Sequence, residues 1–178
     1  MKAPQAASIY KGRTTIQGPL GRRTMHLILG FIAGAIATAT VHEFISQLFQ
    51  AFWTGWERAS WNFAPVSQAV FPDFAIPQLL SDMFWGGIWG LIFAIILGSR
   101  PTGALTFKGI LLGILGPALL GIFLLVPFLT GRFPPFFGGD ASKIIPVLFI
   151  LAGYGAFTAW LYGLFRYGHL PGFGRQEI

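Results

Sequence analysis

Four long apolar stretches alternate with polar or aromatic segments and take up about half of the chain. They run over about 25–48, 79–97, 107–129 and 144–165. Each holds the roughly 20 mostly apolar residues that a helix needs to cross the hydrocarbon core of a bilayer. The pattern therefore predicts an all-α membrane protein whose four transmembrane helices pack in a compact bundle.

The composition agrees with a lipid environment. The 178 residues are 54% hydrophobic and only 10% charged, whereas soluble domains carry about 25% charged residues. The chain has no cysteine, which removes disulfides, thiol nucleophiles and cysteine-bound metals from consideration. We expect one transmembrane domain over 25–168, between a basic N-terminal tail over 1–24 and a short C-terminal tail over 169–178.

Basic residues are distributed unevenly between the two ends of the predicted bundle. If the N-terminus lies inside, the inside segments hold nine lysines and arginines and the outside segments hold three. Such an excess marks the cytoplasmic side, so both termini are expected there. Arg22 and Arg23 immediately precede the first apolar stretch and are expected to contact lipid or a partner. No nucleic-acid partner is expected, and the late, long first stretch does not resemble a cleavable signal peptide.

The connection between the first two helices is rich in aromatic residues, among them Trp53, Trp56 and Trp61. Aromatic rings favour the headgroup layer, because a tryptophan or tyrosine ring is apolar over most of its surface and polar at one end. We predict a short interfacial helix over 49–62 and an irregular segment over 63–77 that lies on the membrane. This aromatic segment would serve as an anchor or as a docking surface for a partner.

Small residues recur at intervals of four in every predicted helix. Helices in lipid gain little by burying apolar surface against each other, so small residues that allow close approach mark their packing faces. Positions four apart lie on nearly the same face of a helix. The glycines that we expect at helix contacts are Gly30, Gly34, Gly86, Gly90, Gly109 and Gly113.

The prolines of the third and fourth helices add further expectations. Pro117 and Pro127 are expected to kink the third helix, because proline removes a backbone donor. Pro146 is expected in the first turn of the fourth helix, where proline is tolerated.

The hairpins over 25–100 and 107–168 follow the same course across the membrane, which leaves an internal duplication open as an explanation.

Ionisable and amide side chains are scarce within the predicted helices, and four of them fall near the outer ends of helices 1 and 2. They are His42, Glu43, Gln78 and Asp82. In an antiparallel pair, the small-residue faces bring His42 and Asp82 to the same level, and we predict that these two meet, with the other two nearby. An ionisable group within a membrane helix is a functional candidate by default.

Three roles for this polar cluster remain open from the sequence. A hydrogen bond between histidine and aspartate could join the two helices as a structural clasp. A proton or ion relay would use the titration of histidine near neutral pH, but no ionisable residue continues the path through the inner half. A metal would need oxygen and nitrogen ligands, and no ligand-spaced motif supports one. The sequence implies no cofactor, although a bound lipid would fit such a helix bundle.

Parts of the first hairpin follow a familiar pattern: residues 29–34 leading to His42, residues 76–78, and Phe-Trp-Gly-Gly-Ile-Trp-Gly over 84–90. These segments resemble a family of small four-helix bacterial inner-membrane proteins. The resemblance implies four helices and the bacterial inner membrane, and it brings no activity. The family pattern has a glutamine after the histidine, whereas this chain has Glu43, so no role is transferred to that position.

No serine–histidine–aspartate grouping, phosphate-binding loop or pair of catalytic carboxylates is visible, so we do not expect an enzyme. The sequence favours a non-catalytic subunit, accessory protein or scaffold of a larger membrane complex, for example a respiratory or photosynthetic one. The alternative is a small oligomeric channel or transporter that uses the polar cluster. A lipid-modifying enzyme is a third reading. The expected partners are membrane lipids and either other subunits or further copies of this chain.

Overall fold

Four helices of this chain are long and apolar enough to span a membrane. The computed structural model describes residues 19–67, 75–98, 101 and 103–167. The four helices, which we call spans 1 to 4, are Thr24–Phe52, Gln78–Leu97, Leu105–Thr130 and Ala141–Tyr167. They confirm the predicted all-α class and give the architecture of a multi-pass membrane protein. The predicted tails over 1–24 and 169–178 lie mostly outside the described residues.

Spans 1 and 3 both contain a stretch of wider, π-helical turns. The helix of span 1 consists of Pro19–Ala37, the π-helical Thr38–His42 and Glu43–Phe52. Span 3 consists of Leu105–Gly113, the π-helical Ile114–Leu125 and Val126–Thr130. Span 2 is one α-helix over Gln78–Leu97, and span 4 is one over Ala141–Tyr167.

The prolines explain part of this irregularity. Pro117 lies inside the π-helical stretch of span 3, and wider turns relieve the clash between a proline ring and the preceding turn. Pro127 lies further along the same continuous helix, in the α-helical Val126–Thr130 that follows the π-helical stretch, and the kinks predicted at the two prolines stay predictions. The prediction for Pro146 is wrong, because span 4 begins at Ala141 and Pro146 therefore falls in its second turn.

The small-residue faces pack in two pairs, span 1 against span 2 and span 3 against span 4. A Cβ atom built on Gly90 would lie 2.8 Å from Gly34 Cα, and one on Gly155 would lie 2.8 Å from Gly113 Cα. Side-chain carbons do not approach a backbone atom so closely, so these contacts require glycine. All six predicted contact glycines lie in the two interfaces: Gly30, Gly34, Gly86, Gly90, Gly109 and Gly113.

The two interfaces match position by position. The corresponding contacts are Gly30 with Gly90 and Ala94 in the first hairpin, and Gly109 with Gly155 and Ala159 in the second. At one further pair of matched contacts, one residue differs in size: Gly34 packs on Gly86, whereas Gly113 packs on Leu151. The hairpins therefore share one packing scheme. Internal duplication stays a prediction, and this shared scheme is what a duplication would leave behind.

Three tyrosine hydroxyls of span 4 donate hydrogen bonds to carbonyl groups of span 2 and of the turn after it. The donor–acceptor distances are 2.5 Å from Tyr154 to Gly86, 2.8 Å from Tyr162 to Gly98 and 2.7 Å from Tyr167 to Pro101. These bonds join the two hairpins, which the glycine interfaces do not. The sequence analysis did not identify these tyrosines.

Tyr154→Phe is expected to lower the free energy of unfolding by about 1 kcal/mol, the net value of a typical intramolecular hydrogen bond. Tyr154 is only 2% exposed, so water cannot replace the lost bond. Denaturant-induced unfolding in mixed micelles would measure the change. Tyr167→Phe is the control, because Tyr167 is 38% exposed at the end of span 4 and its loss should be smaller. Equal stability of Tyr154→Phe and the wild type would contradict this role.

The connection between spans 1 and 2 does not form the interfacial helix predicted over 49–62. The helix ends at Phe52, and Trp53 is extended with φ −117° and ψ 117°. Two short strands follow, β1 over Pro65–Ser67 and β2 over Ala75–Pro77, paired antiparallel with Val66 opposite Ile76. The segment predicted as irregular over 63–77 therefore contains a β-ribbon, whose residues 68–74 lie outside the described part of the chain.

Candidate ligand-binding site

Glu43 is a buried carboxylate at the centre of the candidate site, with a side chain that is only 1% exposed. It accepts hydrogen bonds from His42 Nδ1 at 2.9 Å, from Arg58 Nη2 at 3.0 Å and from the Trp61 backbone N–H at 2.7 Å. A buried charge is costly unless it is paired and hydrogen-bonded. The three donors therefore explain how this carboxylate is tolerated within span 1.

Arg58 connects this carboxylate to span 2. Its Nη2 atom also donates to Asp82 Oδ2 at 2.6 Å, so the guanidinium lies between two carboxylates on different helices. Its side chain is 24% exposed and that of Asp82 is 30% exposed. We call His42, Glu43, Arg58 and Asp82 the Arg58 network. The network fastens the connecting segment onto the ends of spans 1 and 2.

The structure changes the predicted polar cluster in two ways. His42 binds Glu43 and makes no hydrogen bond to Asp82 within the part of the chain that is described, because Arg58 occupies the bridging position. Gln78 lies apart from the network, where its Oε1 accepts a hydrogen bond from Asn62 Nδ2 at 2.8 Å. The structure therefore brings Glu43 and Asp82 together through a third residue.

Arg58 was not among the predicted site residues and was counted only as one of three basic residues on the outer side. A usable signal was present, since Arg58 is the only lysine or arginine between positions 49 and 78. Two carboxylates within adjacent membrane helices need a cation, and the segment that joins those helices offers one. The need to balance the charge of these two carboxylates therefore indicates their partner better than their positions on helix faces do.

The three tryptophans of the connection also bind within the protein. Trp53 Nε1 donates to the Ser142 carbonyl at 2.9 Å and Trp61 Nε1 to the Ala39 carbonyl at 2.9 Å. Trp56 Nε1 donates to Ser46 Oγ at 3.2 Å. Together with Arg58, these bonds hold the segment over the helix ends, which is why it is not an interfacial helix.

Five residues were predicted to contact lipid or a partner, and three of them are these tryptophans. Their indole N–H groups are bound within the chain, although Trp61 is still 40% exposed. Contact of Trp53, Trp56 and the exposed part of the Trp61 ring with lipid or a partner stays a prediction. So does the role of Arg22 and Arg23, whose side chains lie outside the described part of the structure.

The Arg58 network borders a cavity of about 670 Å³, which we call the end cavity. Its ionisable lining residues are His42, Glu57, Arg58, Asp82, Asp140 and Lys143. Its apolar wall includes Ile122, Val126, Val147, Ile150 and Leu151 from spans 3 and 4. The volume falls within the range of about 300–1,000 Å³ that is typical of small-molecule sites.

A second, deeper cavity of about 110 Å³ continues from the end cavity towards the middle of the spans. The two cavities share His42, Asp82, Ile122 and Leu151. Trp89, which also lines the deeper cavity, lies against span 3, since a Cβ on Gly116 would be 3.1 Å and one on Gly121 3.3 Å from its ring. This ring fills the space between spans 2 and 3, which make few direct backbone contacts.

The end cavity is polar on one side and apolar on the other, and the shared packing scheme shows why. Counting along from the matched glycines, Glu43 of the first hairpin corresponds to Ile122 of the second, and Asp82 corresponds to Val147. Ile122 and Val147 line the cavity opposite the Arg58 network. At these two matched positions the first hairpin contributes charges and the second contributes apolar side chains, whereas Asp140 and Lys143 of the second hairpin add charges at the start of span 4.

Asp140 and Lys143 lie beside the cavity at the start of span 4. Asp140 Oδ1 accepts hydrogen bonds from the Ser142 backbone N–H at 2.9 Å and from its hydroxyl at 2.6 Å, which caps the helix. The hydroxyl bond is the main cause that lowers the pKa of Asp140 below its usual value. Lys143 Nζ lies 3.5 Å from Asp140 Oδ2. Asp140 is therefore ionised at neutral pH, with Lys143 as its partner.

Within the described residues, no group of three or more histidine, aspartate and glutamate side chains is placed to hold a metal ion. The fold and the cavity together define a multi-pass membrane protein with a ligand-sized, partly charged site at one end of its helices. No protein-family model, curated protein or solved structure matches this chain. The resemblance to small bacterial inner-membrane proteins therefore stays a prediction.

Proposed function

We propose that this chain is a non-catalytic accessory subunit of a larger complex in the bacterial inner membrane, and that its end cavity holds a small molecule for that complex. The pairing within the Arg58 network carries the proposal. Arg58 holds both Glu43 and Asp82 through hydrogen bonds of 3.0 and 2.6 Å, so neither carboxylate is free to move a proton along a path. Fixed charges beside a ligand-sized cavity suit binding better than relay chemistry.

The distribution of basic residues supports an orientation for this site. The segments that would lie inside hold nine of the twelve lysines and arginines, which favours a cytoplasmic position for both termini. The end cavity then faces the outer side of the membrane, where the connections between spans 1 and 2 and between spans 3 and 4 lie. A ligand or partner would reach it from that side or from the outer leaflet.

Purification from its native membrane in a mild detergent tests the accessory role. We expect a tagged chain to bring down a fixed set of other membrane subunits in stoichiometric amounts, identified by mass spectrometry. Arg132→Gln is a suitable control variant, because this exposed arginine does not line the end cavity. Recovery of the chain only as a monomer or homo-oligomer, at several detergent concentrations, would contradict the proposal.

A small transporter is the second candidate, and one observation favours it. Residues of both π-helical stretches, Thr38–His42 and Ile114–Leu125, border the two cavities. Interrupted helices often line substrate sites in transporters. If this candidate is right, the purified chain alone should move a substrate across liposomes, and Asp82→Asn should abolish that flux. Absence of flux together with stable partner subunits would favour the accessory role.

A further inference from the structure

We infer that the end cavity binds a freely diffusing organic cation with an apolar body. This inference rests on the proposed binding role and specifies the class of ligand. Three independent features of the cavity support it: the balance of charge around it, the chemical type of its unpaired polar atoms, and the nature of its walls.

The charge around the end cavity is negative, although the whole chain carries a net charge of +6. Glu57, Asp82 and Asp140 line the cavity, and the buried Glu43 is bonded directly to two of the lining residues. The lining cations are Arg58 and Lys143. Four carboxylates therefore face two cations, so a ligand that brings positive charge improves the balance.

Two carboxylates at the cavity have oxygen atoms that no cation of the described structure binds. Arg58 binds Asp82 through Oδ2, which leaves Oδ1 without a hydrogen bond in the described structure. His42 directs Nδ1 at Glu43, which leaves Nε2 without a hydrogen bond in the described structure. Glu57 is exposed and has no ionic partner among the described residues. The negative charge of these two carboxylates is therefore accessible to a cationic ligand at this site.

An anionic group would find no comparable partner. Arg58 is already bound by two carboxylates, and Lys143 lies beside Asp140. A phospholipid headgroup carries a phosphate, which would compete with these carboxylates for the same two cations. The charge arrangement therefore favours a soluble cation over the headgroup of a zwitterionic lipid.

The walls suit an apolar body next to the positive charge. Trp56, Phe133 and Phe137 line the cavity, and the rings of the two phenylalanines are stacked with their centroids 4.7 Å apart. Aromatic faces attract cations through their electron density. Ile122 and Val147 complete the apolar side opposite the Arg58 network. A ligand with a charged centre and aromatic or aliphatic substituents would match both sides.

Two probes of the same shape and opposite charge test the inference. Tetraphenylphosphonium and tetraphenylborate would be titrated into the full chain in a non-ionic detergent, and binding would be followed by calorimetry and tryptophan fluorescence. We expect saturable binding of tetraphenylphosphonium, at least about tenfold tighter than that of tetraphenylborate. Equal affinity, or preference for the borate, would overturn the inference, because apolar adsorption alone does not distinguish the two charges.

Charge variants at the cavity give a second test. A loss of folding would weaken binding in every variant, whereas the two charge variants should change the affinity in opposite directions. Glu57→Gln is expected to weaken phosphonium binding about threefold to tenfold, and Lys143→Gln to strengthen it by a similar factor. Both side chains are exposed, so neither change should affect folding. Arg132→Gln, outside the cavity, should leave the affinity unchanged. Changes of the same sign for Glu57→Gln and Lys143→Gln would overturn the inference.

The source of the cation and the accessory role can be separated. Displacement of tetraphenylphosphonium by phosphatidylethanolamine in mixed micelles would overturn the choice of a soluble cation. Charge-selective binding by a chain that purifies without partners would contradict only the accessory role. Stable partner subunits without charge-selective binding would overturn only the ligand class.

Discussion

Arg58→Met is expected to destabilise this protein by about 3–5 kcal/mol, the usual cost of removing one partner from a buried ion pair. Glu43 is only 1% exposed and would lose one of its three donors, and Asp82 would lose its hydrogen-bonded cation. Two carboxylates on adjacent helices would then face each other without a positive charge between them. The connection over 53–64 should also be held less firmly over the spans, because Arg58 is one of its several attachments there.

Unfolding in mixed micelles, followed by tryptophan fluorescence, would measure this loss. Arg58→Lys should have an intermediate effect, since an ammonium cannot reproduce the geometry of a guanidinium between two carboxylates. Arg132→Met is the matched control, because Arg132 is exposed and its side chain makes no ion pair in the described structure. It should change the free energy of unfolding by less than about 0.5 kcal/mol.

A triple variant distinguishes a lost cation from lost packing. Combining Arg58→Met with Glu43→Gln and Asp82→Asn removes all three charges, and uncharged replacements of buried ion groups are often close to neutral in stability. We expect the triple variant to recover most of the stability lost in Arg58→Met. If it were as unstable as the single variant, uncompensated charge would not be the cause.

Gly90→Leu is expected to have the second large effect, by separating spans 1 and 2. The first carbon of any side chain at this position would lie 2.8 Å from Gly34 Cα, which is backbone and cannot rotate away. Overpacking of a close interface typically costs about 1–3 kcal/mol, and contact with backbone places this change at or above the upper end. The Arg58 network bridges the same two spans, so their separation should also loosen the end cavity.

The matching interface of the second hairpin provides a replicate of this test, and an exposed position of span 2 provides a control. Gly155→Leu should cause a comparable loss, because Gly155 occupies the equivalent position against Gly113 in the second hairpin. Ile95→Phe adds bulk to span 2 at a side chain that is 58% exposed, so it should be tolerated. The yield of monodisperse protein and the thermal midpoint would report the difference. A Gly90→Leu variant as stable as Ile95→Phe would contradict the close contact.

The sequence alone established where the four spans lie and which of their faces meet. Runs of about 20 apolar residues specify membrane-length helices because the bilayer imposes their length. Glycines at intervals of four specified which faces meet, because close approach in lipid depends on the size of side chains at those positions. Both properties are local, so they can be read without knowing which helices are neighbours. The beginning of span 4 was misplaced by three residues because Asp140, its cap, was assigned to the preceding connection.

Only the tertiary structure decided the site. Arg58 lies 15 residues from Glu43 and 24 from Asp82, and no periodic pattern relates positions on a helix to a position in a connection. The interfacial helix was predicted from the density of aromatic rings that are partly apolar and partly polar. Hydrogen bonds from the N–H groups of Trp53 and Trp61 to carbonyls of spans 4 and 1 instead fold that segment over the spans. The end cavity lies between hairpins that pack alike but differ at matched positions, where Glu43 and Asp82 of the first correspond to Ile122 and Val147 of the second. These positions form one site only because both hairpins border the same cavity.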